Sequence, residues 1–178
     1  MNPRYERNQN AISKNEQEQL AGKRVCIVGL GGLGGYLLEY LLRVGVGYIT
    51  VIDGDCFEKS NLNRQLLSDE NHIGSSKTQT AKERAKAVNS EITVTVIDSF
   101  LTEDNSEDIL KGHDLVLDAV DRLAVRRLMG KQCAKLHIPL IHGAIQGWYA
   151  QISLIRPGDP LLDLLCGTGT EPADKSAL

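Results

Sequence analysis

The sequence predicts a doubly wound, mostly parallel α/β sheet with helices on both faces. Three observations support this prediction. Strand-like and helix-like segments alternate along the 178 residues, several strands are uninterrupted apolar runs (VCIV, YITVI and LVL), and a glycine-rich turn joins the first strand to the first apolar helix. Continuous apolar strands are typical of parallel sheets, because helices cover both faces of such sheets.

The elements follow one another in a regular order. Strands are predicted at residues 24–29, 48–52, 93–97, 114–117, 140–144 and 151–155, because these segments are short and apolar or rich in β-branched residues. Helices are predicted at residues 33–44, 77–88, 105–110 and 122–137, and one helical turn near residues 62–66. The polar residues 2–20 are predicted to form a helix packed on the surface or on a neighbouring subunit.

The turn after the first strand indicates a nucleotide-binding site. It carries Gly29, Gly31, Gly32 and Gly34, and the second strand ends on Asp53. Glycines let the backbone approach phosphates, the following helix supplies free N–H groups, and the carboxylate can accept hydrogen bonds from ribose hydroxyls. This strand, turn, helix and acidic residue form a Rossmann-like pattern. The alternative is a tight turn without a ligand.

Further motifs extend the pattern beyond a dinucleotide site. The run SNLNRQ (residues 60–65) is followed by GSSK, which ends on Lys77 at a helix start, and by LDAVD, which ends on Asp121. Together with RYER (residues 4–7), these motifs resemble the ThiF/MoeB/HesA family, whose members share an adenylating domain with ubiquitin-activating enzymes. The resemblance covers residues 4–157. A dinucleotide-dependent dehydrogenase would have no reason to carry both Arg64 and Lys77.

The resemblance implies a role in an ATP site for each matching position. Arg64 and Lys77 would neutralise phosphate charge, Asp121 would hold Mg²⁺, and Arg7 would reach the phosphates of a partner subunit. These four residues are the candidate catalytic residues. The nucleotide contacts implied are Gly29, Gly31, Gly32, Gly34, Asp53, Ser60, Asn61, Arg64, Lys77, Asp121 and Arg122. Arg122 stands where the family commonly has Asn, so nucleotide contacts there are expected to differ.

Each of these assignments has a structural alternative. Asp53 could simply close a strand, and Arg64 and Lys77 could be solvated surface charges, as most such residues are. Asp118 competes with Asp121, and either aspartate could cap the following helix. Arg7 could be a surface arginine on a loose N-terminal arm.

Composition excludes several other classes of function. The formal charge of −3 argues against a nucleic-acid surface, and the hydrophobic content of 42% suffices for one domain. No apolar run approaches the ~20 residues needed to span a membrane, and no secretory signal is visible, so we expect a cytoplasmic protein. The four cysteines are scattered without a C-x-x-C pair. We therefore expect no zinc, although many relatives carry two such pairs.

The chain is expected to divide into three parts. Residues 1–22 form a helical arm, residues 23–157 an ATP-binding adenylation domain, and residues 158–178 a tail in which the family's crossover segment is truncated. Cys166 lies in this tail. We predict that it is not catalytic, because the sequence shows no basic neighbour that would lower the pKa of its thiol.

The resemblance implies an ATP-dependent adenylyltransferase. Its substrate would be the C-terminal glycine carboxylate of a ubiquitin-like sulfur-carrier protein ending in Gly-Gly, and it would act as a homodimer with ATP and Mg²⁺. Two alternatives stay open. One is activation of a small-molecule or tRNA-borne carboxylate, as in the family's threonylcarbamoyladenosine dehydratase branch, which the stretch IDSFLTEDN (residues 97–105) resembles. The other is a truncated nucleotide-binding module without turnover.

Overall fold

The computed structural model describes residues 2–166. Its six strands form one sheet in the order β3-β2-β1-β4-β5-β6. The strands are β1 (Arg24–Val28), β2 (Tyr48–Ile52), β3 (Thr93–Ile97), β4 (Leu115–Asp118), β5 (Leu140–Gln146) and β6 (Tyr149–Ile155). The first five run parallel, and β6 is antiparallel to β5. The order reverses between β1 and β4, and such a switch point opens a crevice at the carboxyl ends of the strands.

Helices cover both faces of this sheet. On one face lie α2 (Gly34–Val44) and α3 (Lys77–Val88), and on the other lie α4 (Ser106–Leu110), α5 (Leu123–Leu136) and α6 (Leu161–Cys166). Strand β1 shows the division, because Val25 and Ile27 pack in one hydrophobic core while Cys26 and Val28 pack in the other. The predicted doubly wound, mostly parallel α/β architecture is therefore confirmed.

The N-terminal arm forms two helices, so the prediction of a single helix was wrong. A 3₁₀ helix spans Pro3–Asn10 and α1 spans Lys14–Ala21. The break arises at Ser13, whose side chain caps α1 in a reciprocal capping box with Glu16. The arm packs on its own domain: the Arg4 guanidinium donates to the Val88 carbonyl oxygen at 2.7 Å.

The remaining differences are local. The helical turn expected near residues 62–66 forms earlier, as a 3₁₀ turn at Lys59–Asn61, because Asn61 and Glu58 cap each other. The hairpin strands β5 and β6 extend farther than predicted, to Gln146 and from Tyr149. Part of the expected tail forms α6, and residues 167–178 lie outside the described residues. Among residues 2–166, no helix combines the length and apolar character needed to cross a membrane.

Candidate active site

The glycine turn connects β1 to α2 at the switch point, and its glycines have two different environments. Gly29 has a φ of +93°, and a Cβ on Gly34 would lie 1.9 Å from the Gly29 carbonyl oxygen. These two positions therefore require glycine for the backbone to close. A Cβ on Gly31 or Gly32 would come no closer than 3.7 Å to another atom. Their missing side chains leave space for a ligand to approach the backbone.

The start of α2 adds donors to this turn. Its N-cap residue, Leu33, makes no side-chain capping bond. The first N–H groups of a helix need partners from outside the helix, and they carry partial positive charge. An uncapped helix start behind an open glycine turn fits an anion such as phosphate.

Asp53 ties the end of β2 to the turn. One of its carboxylate oxygens accepts from the Leu30 N–H at 2.7 Å, and the other accepts from the Asp55 N–H at 2.9 Å. The aspartate therefore does more than close a strand, because it fixes the geometry of the turn. Contact with a ribose stays a prediction.

Lys77 is buried beside these aspartates. It begins α3, its side chain is 7% exposed, and its Nζ lies 3.1 Å from Asp55 Oδ2 and 3.9 Å from Asp53 Oδ1. A lysine is almost never this buried unless its charge is paired. The alternative of a solvated surface charge is therefore wrong for Lys77.

Arg64 lies beside Gly32 of the turn. The side chain is exposed, its stem runs beside Gly32, and its guanidinium donates to the Ser60 carbonyl oxygen at 2.9 Å and to Asn63 Oδ1 at 3.0 Å. Asn61 Oδ1 accepts from the Glu58 N–H, which shapes the segment from which Arg64 projects. Both local contacts of Arg64 involve one terminal nitrogen, so the rest of the fork can meet a phosphate.

Gln65 is a candidate site residue to which sequence reasoning assigned no role. It is 7% exposed, and its Oε1 is the one buried side-chain acceptor in residues 2–166 without a hydrogen-bond partner. Its Nε2 lies 3.7 Å from where a Gly31 Cβ would stand. A buried unpaired acceptor costs about 1–3 kcal/mol. A ligand hydroxyl or water bound beside the turn would satisfy it. Gln65 is the last residue of the run SNLNRQ, and only its burial in the folded protein marks it as a candidate.

The segment after β4 holds the competing aspartates. Asp118 is buried and accepts from Arg126 and His142, whereas Asp121 is exposed. Because the Asp118 carboxylate is engaged within the protein, Asp121 is the carboxylate of this pair that remains open to a cation. Arg122 lies over the Phe100 ring at 5.5 Å.

Phe100 is a second residue to which sequence reasoning assigned no role. Its ring fills the space beside Gly54, where a Cβ would come within 2.9 Å of the ring. The ring is nevertheless 47% exposed. A half-exposed aromatic ring in the segment after β3, next to Gly54, can pack against a planar ligand group.

Arg7 is not part of this group in the single chain. The arm packs against the C-terminal ends of α2 and α3, as in the bond from Gln17 Nε2 to the Val44 carbonyl oxygen. That edge of the sheet is opposite the carboxyl ends of the strands. The structure thus brings the glycine turn, Asp53, Arg64 and Lys77 together and leaves Arg7 apart.

The cysteines differ in burial. Burial raises the pKa of the Cys26 and Cys133 thiols to about 12. Burial also raises the pKa of the Cys166 thiol, although Arg126 and Arg127 act in the opposite direction. The expectation that Cys166 has no basic neighbour was wrong, because α6 brings it close to α5. The net effect still disfavours the thiolate, the nucleophilic form.

A cation in this site would need ligands beyond the protein. Residues 2–166 contain no group of three or more His, Cys, Asp or Glu side chains placed to hold a metal ion. Mg²⁺ commonly binds through one or two carboxylates together with substrate phosphates. Asp121 fits that arrangement as a single protein ligand.

Comparisons with known proteins identify similar chains. The ThiF family model matches residues 5–175. The chain is 37% identical over 146 residues to the molybdopterin-synthase adenylyltransferase of Salmonella typhimurium and 33% identical over 161 residues to the SAMP-activating enzyme E1 of Haloferax volcanii. These alignments cover 81% and 90% of this chain but only 59% and 60% of the relatives.

A solved structure shows the same likeness. The crystal structure of E. coli tRNA N6-threonylcarbamoyladenosine dehydratase in complex with ATP superposes with a TM-score of 0.78 at 32% identity, covering 82% of this chain and 61% of that one. The family match spans nearly the whole sequence, and the fold is shared with this solved structure. On this evidence the chain belongs to the ThiF family.

Proposed function

We propose that this protein is an ATP-dependent adenylyltransferase that activates the C-terminal glycine carboxylate of a ubiquitin-like sulfur-carrier protein. The observation that carries the proposal is the buried Lys77 ammonium, held between Asp53 and Asp55 beside a turn whose Gly31 and Gly32 positions are open. A dinucleotide site needs no buried cation there. A triphosphate site does need a cation at this position, because the negative charge of the triphosphate must be neutralised.

The reaction requires positioning more than acid–base catalysis. A carboxylate oxygen of the acceptor attacks the α-phosphorus of ATP, the bond from that phosphorus to the bridging oxygen breaks, and pyrophosphate leaves with the electron pair. No proton has to move, because the carboxylate is already ionised at neutral pH. The turn N–H groups would hold the phosphates, and Arg64 and Lys77 would stabilise the charge that develops on the leaving group.

Asp121 would hold the Mg²⁺ that accompanies ATP. The cation supplies Lewis-acid stabilisation of the phosphate oxygens. Asp53, in addition to fixing the turn, would meet the ribose, and Ser60, Asn61 and Arg122 would complete the nucleotide contacts. Phe100 beside Gly54, and Gln65 beside Gly31 with its unpaired Oε1, support a nucleotide bound near the turn.

The proposed acceptor follows from the relatives. A molybdopterin-synthase adenylyltransferase and a SAMP-activating enzyme are among the similar proteins. We therefore propose a small carrier protein ending in Gly-Gly as the partner. The other proposed partner is a second copy of this chain, in a homodimer. The proposed compartment is the cytoplasm.

A tRNA-borne carboxylate is the second candidate acceptor. The structural likeness to tRNA N6-threonylcarbamoyladenosine dehydratase, at a TM-score of 0.78, favours it. Both candidates use the same ATP site and differ in the group presented to the α-phosphorus. A chain that binds ATP without turnover is the non-enzymatic candidate.

Pyrophosphate exchange separates these candidates. Labelled pyrophosphate enters ATP only when a carboxylate forms an adenylate reversibly. We expect exchange with a carrier ending in Gly-Gly, and none with the same carrier lacking its last glycine. Exchange only with threonylcarbamoylated tRNA would select the second candidate. Nucleotide binding without exchange for any acceptor would select the third.

Calorimetry tests the nucleotide itself. We expect Mg-ATP to bind more tightly than NAD, because Arg64 and Lys77 suit a triphosphate. Tighter binding of NAD would overturn the adenylation proposal.

A further inference from the structure

A buried polar network precedes Asp121, between the last residue of β4 and the neighbouring part of β5. Its centre is Asp118, which is 1% exposed. One of its carboxylate oxygens accepts from Arg126 Nε at 2.8 Å and from His142 Nδ1 at 2.7 Å. His142 is fully buried. A buried carboxylate with these partners is satisfied and therefore held in a single orientation.

The network controls the backbone immediately before Asp121. The second Asp118 oxygen accepts from the Val120 N–H at 3.1 Å, and Arg126 Nη2 donates to the Val120 carbonyl oxygen at 2.6 Å. Both polar groups of the Val120 peptide backbone are thus bound by the pair formed by Asp118 and Arg126. The next residue along the chain is Asp121, so the pair sets the direction in which the chain leaves the sheet.

His142 extends the network to the edge strand. Its Nε2 lies 2.7 Å from the Gln151 side-chain amide nitrogen on β6. An amide nitrogen only donates, so Nε2 accepts and Nδ1 carries the proton donated to Asp118. The imidazole therefore orients Asp118 from β5, as Arg126 does from α5.

We propose that Asp118, Arg126 and His142 are positioning residues that hold Asp121 in place for the cation of Mg-ATP. The proposal rests on the proposed function. Residues that orient a metal ligand through hydrogen bonds typically contribute about 10–100-fold to metal affinity. None of the three is proposed to contact the nucleotide; they act through the Val120 backbone.

Arg126→Lys is the most selective variant. Lysine retains a positive charge beside Asp118, but its single ammonium cannot reproduce the planar fork that serves both Asp118 and the Val120 carbonyl oxygen. His142→Leu removes the Nδ1 donor, and His142→Asn supplies an amide N–H in its place. His137→Asn is the control, because His137 is an exposed helix cap with a φ of 56°, a conformation that asparagine tolerates.

Calorimetric titration of ATP, with Mg²⁺ and separately with EDTA, measures the effect. For Arg126→Lys and His142→Leu we expect about a tenfold loss of Mg-ATP affinity, with ATP affinity in EDTA unchanged within about twofold. His142→Asn and His137→Asn should stay near wild type. In the nucleotide-free protein, amide hydrogen exchange across residues 119–122 should be faster in Arg126→Lys, a change that does not depend on the metal.

The outcomes separate this inference from the function on which it rests. If the wild-type protein does not bind Mg-ATP, the proposed function fails. A different pattern would overturn only the positioning role. In that pattern Asp121→Ala loses the gain in ATP affinity that Mg²⁺ gives. Arg126→Lys and His142→Leu keep that gain and keep wild-type amide hydrogen exchange at residues 119–122. If His142→Leu does not fold, Arg126→Lys decides the question alone.

Discussion

Lys77 shows how one residue prepares the site before any ligand binds. Asp55 Oδ2 lies 3.1 Å from its ammonium, and Asp53 Oδ1 lies 3.9 Å away. An ammonium has three N–H donors, so at least one remains for a phosphate. The aspartates pair with the buried ammonium, so the proposed nucleotide contact would need little rearrangement of Lys77.

We predict that Lys77→Ala and Arg64→Ala slow pyrophosphate exchange more than they weaken ATP binding. Their charges matter most as pyrophosphate develops, so removing either should lower the exchange rate at saturating ATP by about 10²–10³-fold. The dissociation constant for ATP should change by less than about tenfold. Exchange kinetics and calorimetry give the two values. Lys82→Ala, an exposed lysine on the same helix, is the matched control. Equal losses in rate and binding would indicate simple ground-state binding.

Cys166 gives a second prediction at this scale. Burial raises the pKa of its thiol despite the nearby Arg126 and Arg127, so the thiolate forms only at a higher pH than in a free cysteine. We expect iodoacetamide at neutral pH to modify the exposed Cys56 first, as followed by peptide mass. Cys166→Ser should leave the rate of pyrophosphate exchange unchanged. A reducible adduct between Cys166 and a carrier protein, formed only with ATP, would contradict this prediction.

At the scale of the elements, the glycines of the turn fall into two groups. The fold requires one pair, and the other pair is proposed to face the nucleotide. Gly29 and Gly34 are required by the backbone, because a Cβ on Gly34 would lie 1.9 Å from the Gly29 carbonyl oxygen. Gly31 and Gly32 have space for a Cβ in the folded protein. Four glycines that look equivalent in the sequence therefore have different physical roles.

We predict opposite effects for two alanine substitutions in this turn. Gly34→Ala should lower the free energy of unfolding by about 1–3 kcal/mol or more, because the turn must open. Gly32→Ala should leave thermal stability near wild type while weakening ATP binding about tenfold or more, because the methyl group occupies the phosphate approach. Thermal unfolding and ATP titration of both variants check this. Equal stability of the two variants would show that the turn adapts.

At the scale of the whole molecule, the β5–β6 hairpin presents an unusual surface. Residues 138–155 contain no Asp, Glu, Lys or Arg. Ile145, Trp148, Tyr149 and Ile152 are each more than 60% exposed. Uncharged apolar edges tend to pair with other chains. This surface supports the proposed dimer, in which Arg7 of each subunit would serve its partner's site.

We predict that two inactive variants restore activity when mixed. In a mixed dimer of Arg7→Ala and Lys77→Ala subunits, one site combines the intact Lys77 with the partner's intact Arg7. Random pairing in a twofold dimer should recover about a quarter of wild-type exchange activity. Sedimentation should show a dimer. A monomer, or an Arg7→Ala variant with wild-type exchange, would remove the proposed role of Arg7.

The sequence alone determined the sheet and the glycine turn. Apolar runs, β-branched residues and glycine spacing are local signals, and strands β2 and β3 and helix α3 were predicted with the bounds observed, at Tyr48–Ile52, Thr93–Ile97 and Lys77–Val88. The match of SNLNRQ, Lys77 and LDAVD to the family pattern also made the membership predictable, because these motifs retain their order along the chain.

Only the tertiary structure decided how the polar residues are used. Asp118 and Asp121 look alike in the sequence, and Asp118 is excluded only because Arg126 and His142 converge on it from two other elements. The unpaired Gln65 Oε1 and the basic neighbours of Cys166 likewise depend on packing between distant segments. Burial and hydrogen-bond partners are set by the whole fold, so no local pattern reports them.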